Sequence, residues 1–361
     1  MSDRMPPPRS LLPAARALLV LAALSPAGAG AQAPPACPVA APGGTAHSAR
    51  PRHYIFVNRF RDRIRDSAFL ANPRFEGAQV KYTWRELEPA KDRYDFSAIH
   101  EDREFLAARG KRLFVQLQDV SFDSALVNVP VYLMTDPEYG GGAVRDYVIQ
   151  DDDEAGAVRA GWVPRRWDPA VQARFHKLLA ALGRELDGQV EGINLPETSM
   201  VFGTTGRLWP AGYTPARYRD VVIQNMRALK RAFPRSIAMQ YGNFMPGEWL
   251  PADDRGFLRA VYDEAREIGV AMGGPDVFPY RRGHMNHSYP LIRAHHGDAP
   301  TGIAVQEGNY AAANPTTGKP VTIAELLGFA RDYLCVDFMF WYIEEPFYSR
   351  DLLPALAALP G

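Results

Sequence analysis

The chain has 361 residues, 47% of them hydrophobic, enough for one large domain or two small ones. Lys plus Arg and Asp plus Glu each total 41, so the formal net charge is zero. No basic field is present to hold a phosphate backbone, which argues against nucleic acid as a partner. Aromatic residues make up 11% and supply flat apolar faces that suit sugar rings as well as cores.

Arg4, Arg9 and Arg16 precede or enter the apolar run ALLVLAALSP, and small residues follow in AGAGAQA. This is the pattern of a secretory signal with an Ala-x-Ala cleavage site after Ala31, and it predicts a secreted or periplasmic protein. The apolar run falls short of the roughly 20 residues that a membrane span needs, and no later stretch is long enough. No membrane anchor is therefore expected after cleavage. Residues 32–51, rich in Pro, Ala and Gly, read as a loose arm. Two cysteines remain, Cys37 and Cys335. In an oxidising compartment an even count invites a disulfide, but a free, buried Cys335 fits the sequence equally well. The pairing stays open at this level.

From His53 onward, short apolar runs alternate with amphipathic helical patterns. Strands are predicted at 53–60, 77–84 and 111–119, with helices at 62–70 and 96–110, the second stopped by Gly110. The connection from Val120 to Trp167 is too long for a simple loop. It carries DPEYGGG, the acidic run Asp151 to Glu154, and Trp162 and Trp167, and reads as a hairpin or lid over a cleft. The acidic run lacks the spacing of a calcium loop and reads as a solvated turn. A helix over 168–186 opens with Asp168 as N-cap and Pro169 in its first position.

The fourth strand is predicted at 189–195 and the next helix at 214–233, capped by Thr214. A fifth strand (236–243) leads to a helix at 255–269, and a sixth (270–278) to a shorter one at 289–297. The seventh strand (302–310), a helix (322–334) and an eighth strand (336–345) complete the series. Eight strands alternating with helices predict a closed (β/α)8 barrel, a TIM barrel, as one domain over 52–361. An open doubly wound sheet is the rival fold, but no Gly-x-Gly-x-x-Gly follows the first strand to bind its usual ligand.

Chemistry in such a barrel sits at the carboxyl ends of the strands. VEGINLPETS ends the fourth strand and carries Glu197; TGIAVQEGNY ends the seventh and carries Glu307. Two carboxyl groups rising into one mouth suit glycosidic-bond cleavage. One protonates the departing oxygen while the other attacks or assists from the opposite face of the sugar. A lone strand-end glutamate reads more simply as a solvated acid or the partner of an arginine; two at matching ends favour the chemistry.

Glu197 and Glu307 on the fourth and seventh strands resemble the clan of retaining (β/α)8 glycoside hydrolases that includes cellulases, mannanases and β-galactosidases. YTWRELEPAKDRYDFS, Tyr82 to Ser97, is similar to the Trp-x-x-Leu-Glu-Pro-x-x-Gly-x-Tyr-Asp-Phe-Ser stretch of several families in that clan, with Asp92 in place of the usual glycine. The resemblance implies a glycosidase with a carbohydrate substrate, Glu197 as acid/base and Glu307 as nucleophile. It also makes Trp341 the aromatic floor under a bound sugar and Tyr280 a hydrogen-bond partner of the nucleophile.

One departure marks a divergent branch. The clan places Asn directly before its acid/base glutamate, where this chain has Pro196; Asn194 lies three residues back, on the opposite face of an extended strand. The missing Asn motivates the alternative of a carbohydrate-binding barrel without catalysis. Glu191 is a rival acid, but it sits near the start of its strand, where barrels do no chemistry. Gln118 and Asp119 close the third strand, Tyr241 and Asn243 the fifth, and with Asn194 they complete the expected substrate-binding set. The histidines at 284, 287, 295 and 296 lack the helical spacing and accompanying glutamate of a zinc hydrolase and read as structural or surface groups. No metal or other cofactor is expected. No Gly-x-Ser-x-Gly elbow offers a serine nucleophile.

Overall fold

The computed structural model describes Cys37 and residues 50–359. The expected signal segment at 1–31 and most of the expected arm lie outside those residues. Among the described residues ten strands occur in chain order: β1 (Arg52–Phe56), β2 (Phe75–Thr83), β3 (Arg112–Gln118), β4 (Ala143–Val148), β5 (Val158–Pro164), β6 (Gly192–Leu195), β7 (Ile237–Tyr241), β8 (Ala271–Gly274), β9 (Thr301–Val305) and β10 (Phe338–Tyr342). Eight of them, all but β4 and β5, pair in parallel and close into a barrel when β10 meets β1. The expected TIM barrel is the observed fold.

Period-two alternation sorts each barrel strand into two faces. Tyr54, Phe56, Phe114, Met239, Tyr241, Phe338 and Phe340 pack together in the lumen. Ile55, Val80, Val115, Ile193, Ile303, Met339 and Trp341 face the helical layer. So many rings fit inside because the facing strands carry glycine. A Cβ on Gly192 would lie 2.6 Å from the Phe114 ring, and one on Gly273 would lie 2.9 Å from Tyr241. Each buried aromatic contributes roughly 1.5–3 kcal/mol of hydrophobic stabilisation.

The outer helices start where the sequence places their caps. Asp168 accepts from the amides of Ala170 and Val171 at the head of the helix Pro169–Leu186. Thr214 does the same for Arg217 at the head of Pro215–Ala232. The helix Phe257–Ile268 is bracketed by Gly256 and Gly269, both left-handed, at φ 71° and 68°. Among the described residues no helix is long and apolar enough to cross a membrane.

The Trp84 to Ser97 stretch is an anchor for this layer. Thr83 and Glu86 form a capping box, the Trp84 indole donates to Glu88 at 2.8 Å, and buried Glu88 pairs with Arg174 of the helix Pro169–Leu186. Asp92, which stands in place of the glycine of the stretch this segment resembles, holds φ +60°, the left-handed region glycine favours. Cys37 and Cys335 are joined by a disulfide, which resolves the pairing the sequence left open.

Candidate active site

β6 ends at Leu195, so Glu197 stands two residues beyond it, at the carboxyl end of the barrel. Its side chain turns toward β7, where the Asn243 amide donates to Glu197 Oε2. Asn243 is itself fixed: its Oδ1 accepts from the Phe244 amide at 2.9 Å and the Ser199 amide at 3.2 Å. Thr198 braces the same corner, donating to the Phe244 carbonyl at 2.7 Å.

Glu197 is half-buried, and the desolvation of its carboxyl pushes its pKa up to about 8. The charge of Asp276, just past β8, pushes it further; Asn243 pulls it back, Asp146 raises it and Lys81 lowers it. At neutral pH Glu197 therefore carries a proton. Asp276 is raised as well, chiefly by burial, while the Asn309 amide, donating at 2.9 Å, favours its ionised form. Asp146 comes from the β4–β5 hairpin, accepts from the Val201 amide at 2.7 Å, and is raised to about 6 by burial. The expected hairpin in the 120–167 connection is present, and it brings a third acid to the mouth.

Glu307 lies in the turn after β9 and is exposed. Its charge acts on Tyr342 and on Glu344, both at the end of β10. The Tyr280 hydroxyl donates to Glu325 at 2.9 Å, not to Glu307. Exposed beyond β8, Tyr280 belongs to the cap of the helix Ile323–Gly328, where Asn314 also reaches it.

Trp341 does not face the mouth. Alternation along β10 points Phe338, Phe340 and Tyr342 inward and Trp341 outward, where it is fully buried and donates to His53 Nδ1 at 3.1 Å. The aromatic at the mouth on this strand is Tyr342, half-buried. Asp119 does not present a free carboxylate either. It forms a buried ion pair with Arg166, which also donates to the Tyr218 hydroxyl at 3.0 Å. Gln118 turns onto its own loop and donates to the Val120 carbonyl at 2.9 Å.

Asn194 and Tyr241 are linked through Gln79. The Gln79 amide donates to Asn194 Oδ1 at 3.0 Å and to the Tyr241 hydroxyl at 2.8 Å, forming a polar layer in the lumen below Glu197. Glu191 lies at the opposite end, bound by Arg52 and by Arg112 at 2.6 Å. His284 and His287 pack among Phe244, Phe278 and Trp249, and His295 bonds the Val270 carbonyl at 3.1 Å. These three are structural, and among the described residues no cluster of His, Cys, Asp and Glu could hold a metal ion.

Gln79, Lys81, Asp146 and Asp276 are the mouth residues that strand-end reasoning missed. Gln79 and Lys81 had a signal, polar residues in phase on one face of β2. Asp276 closes the sixth barrel strand as Glu307 closes the seventh, so the same rule applied once more would have found it. Asp146 had none, because its placement depends on how the hairpin folds over.

No protein-family model matches the chain, and no curated protein matches it in sequence. Solved structures do. The catalytic domain of β-amylase from Paenibacillus polymyxa aligns with a TM-score of 0.51 at 8% identity, over 82% of this chain and 93% of that one. A GH5_18 protein from Streptomyces cattleya in complex with GlcNAc aligns at 0.48 and 16% identity, over 82% and 71%. Xylanase 10B from Thermotoga petrophila in complex with xylobiose aligns at 0.46 and 11%, over 81% and 83%. At these identities the likeness is one of fold.

Proposed function

We propose that the chain is a glycoside hydrolase that cleaves β-linked oligo- or polysaccharides with retention of configuration, Glu197 serving as acid/base and Glu307 as nucleophile. The observation that carries the reading is the Glu197 carboxyl. Half-buried at the mouth and pushed up to about 8 by desolvation, it favours the protonated form at neutral pH, as the donor to a departing glycosidic oxygen must. Glu307 supports it as an accessible carboxylate at the carboxyl end of the seventh barrel strand.

In the first step a Glu307 oxygen bonds to the anomeric carbon as the bond to the leaving oxygen breaks, and Glu197 protonates that oxygen. In the second, water attacks the anomeric carbon, Glu197 takes its proton, and Glu307 leaves as carboxylate. A second reading puts Asp276 in the nucleophile's place. It is favoured by one observation: after burial, the Asp276 charge is the largest influence on Glu197. A nucleophile that raises the acid's pKa while ionised, and releases it once esterified, is what the two steps require.

Export is part of the proposal. It is supported by the charged, apolar and small-residue pattern of residues 1–31 and by the Cys37–Cys335 disulfide, a bond of oxidising compartments. The test is a panel of aryl β-glycosides and polysaccharides, with the first-formed anomer followed by proton NMR. A β product appearing first is expected. An α product appearing first overturns retention, and binding without turnover by the pure protein favours the non-catalytic carbohydrate-binding barrel.

A further inference from the structure

The chain has six tryptophans, all within the described residues, and of these Trp249 alone is exposed. The other five donate their indole N–H inside the protein, as Trp84 does to Glu88 and Trp341 to His53. The indole N–H of Trp249 has no partner among the described residues. A single exposed apolar side chain is ordinary on a protein surface. An exposed indole that the fold holds in place, with its donor unused, is not.

Trp249 lies in the loop from β7 to the helix Phe257–Ile268, at the end of the barrel that carries Glu197. Its backbone amide and carbonyl exchange hydrogen bonds with Asp253 at 2.9 and 2.8 Å. Both chain neighbours are buried and tied down. The Glu248 carboxylate accepts from the Phe257 amide at 2.9 Å and the Leu258 amide at 2.7 Å, at the head of that helix. The Leu250 amide donates to His287 Nε2 at 2.9 Å. The indole lies parallel to the Phe244 ring, with 6° between the planes and 5.8 Å between centres, and the His287 ring packs at 4.6 Å. With all these contacts Trp249 still keeps 50% of its surface open to solvent.

Phe244 joins this ring to the proposed acid. It follows Asn243, whose side-chain amide bonds Glu197. The Phe244 amide donates to Asn243 Oδ1, and its carbonyl accepts from Thr198. The two parallel rings therefore extend from the corner that fixes Glu197. An aromatic side chain already held in one orientation loses little freedom when a ligand covers it. Its flat apolar face and its free N–H match the C–H face and the peripheral hydroxyls of a sugar ring.

We propose that Trp249, beside Phe244, forms a subsite that stacks a second sugar ring of the substrate, with the indole N–H donating to a hydroxyl at that ring's edge. The substrate class is then a β-linked oligosaccharide of two or more units, not a single sugar on a small leaving group. The inference rests on the carbohydrate reading of the mouth and adds a requirement for length.

The test is calorimetric binding of β-1,4-thio-linked gluco-, manno- and xylotetraose, which resist hydrolysis, each against the methyl 1-thio-β-glycoside of the same sugar. The wild type is expected to bind at least one tetraose about tenfold or more tightly than its single-sugar counterpart. Its tryptophan emission should shift to shorter wavelength as the exposed indole leaves water. Trp249→Ala should remove most of the tetraose advantage. Trp249→Phe, which keeps a ring but loses the N–H, should retain part of it and lose the emission shift; it also keeps the test valid should Trp249→Ala unfold. Tetraoses that bind no better than single sugars overturn the inference, as does no binding, or an advantage that survives Trp249→Ala. Self-association that Trp249→Ala abolishes while sugar binding stays unchanged also overturns it, and gives the ring to a contact between chains. Turnover of aryl β-glycosides by the wild type is read separately. A chain that hydrolyses them without a length advantage defeats this inference alone, and one with a Trp249-dependent length advantage that hydrolyses nothing defeats the catalytic reading alone.

Discussion

Asn243, two residues past β7, donates its side-chain amide to Glu197, two residues past β6. The bond joins neighbouring strand ends and ties the proposed proton donor to a residue whose own oxygen is locked by backbone amides. A donor to the carboxylate favours its charged form, so Asn243 opposes the burial that keeps Glu197 protonated.

Two substitutions should therefore move the pH profile in opposite directions. kcat/KM should fall as pH rises through about 8, where Glu197 gives up its proton. Asn243→Ala removes a hydrogen bond that lowers this pKa, so the falling limb should move to higher pH. Asp276→Asn removes a charge that raises it, so the limb should move to lower pH. Profiles from about pH 5 to 10 decide the matter; a limb that stays in place in both variants belongs to another group.

The same carboxyl should weaken the fold as pH rises. Its folded pKa, about 8, lies above the 4.5 of an unperturbed glutamate. Between those values the native state binds the extra proton, so stability is lost as pH climbs through the window. Glu197→Gln cannot ionise. Its melting temperature should exceed that of the wild type at pH 8, by the equivalent of about 1–3 kcal/mol, and match it more closely at pH 5.

Asp119 is expected to act on stability. Asp119→Ala leaves the Arg166 guanidinium buried without its partner, a change that costs about 3–5 kcal/mol. Chemical denaturation should show that loss at once. Replacing both residues with apolar ones should recover part of it, which a residue binding sugar directly would not do.

Cys37→Ser should lower the melting temperature. The bond closes a loop across a sequence separation of 298 residues, and losing such a link costs about 2–5 kcal/mol. Cys335 precedes β10, at the end of the barrel away from Glu197, so turnover at 25 °C should persist in the variant.

The barrel was legible because eight apolar strand runs alternate with seven helical patterns, two of them opened by the caps Asp168 and Thr214. Strand-end position found Glu197, Glu307 and Asn243 for the same reason, since it needs nothing beyond where an apolar run stops. Side-chain direction was harder. Trp341 and Tyr342 are adjacent, and which of them enters the mouth depends on the register of β10 against β1, where Trp341 lies opposite Ile55 on the outward face. Partnerships between distant segments were out of reach. Asp119 meets Arg166 across 47 residues, and Tyr280 meets Glu325 across 45, so a strand-end side chain that looks free in sequence is already committed in space.

The assignment of Glu197 is tested most directly by Glu197→Ala on two aryl β-glycosides, one with a good and one with a poor leaving group. Without its acid the variant should lose about 100- to 10,000-fold in turnover of the poor leaving group. The good one should still form the covalent intermediate and then stall. Added azide should restore turnover and release the β-glycosyl azide, because azide attacks the intermediate without needing a general base. An α-glycosyl azide, or equal losses on both substrates with no response to azide, would contradict Glu197 as the acid/base of a retaining enzyme.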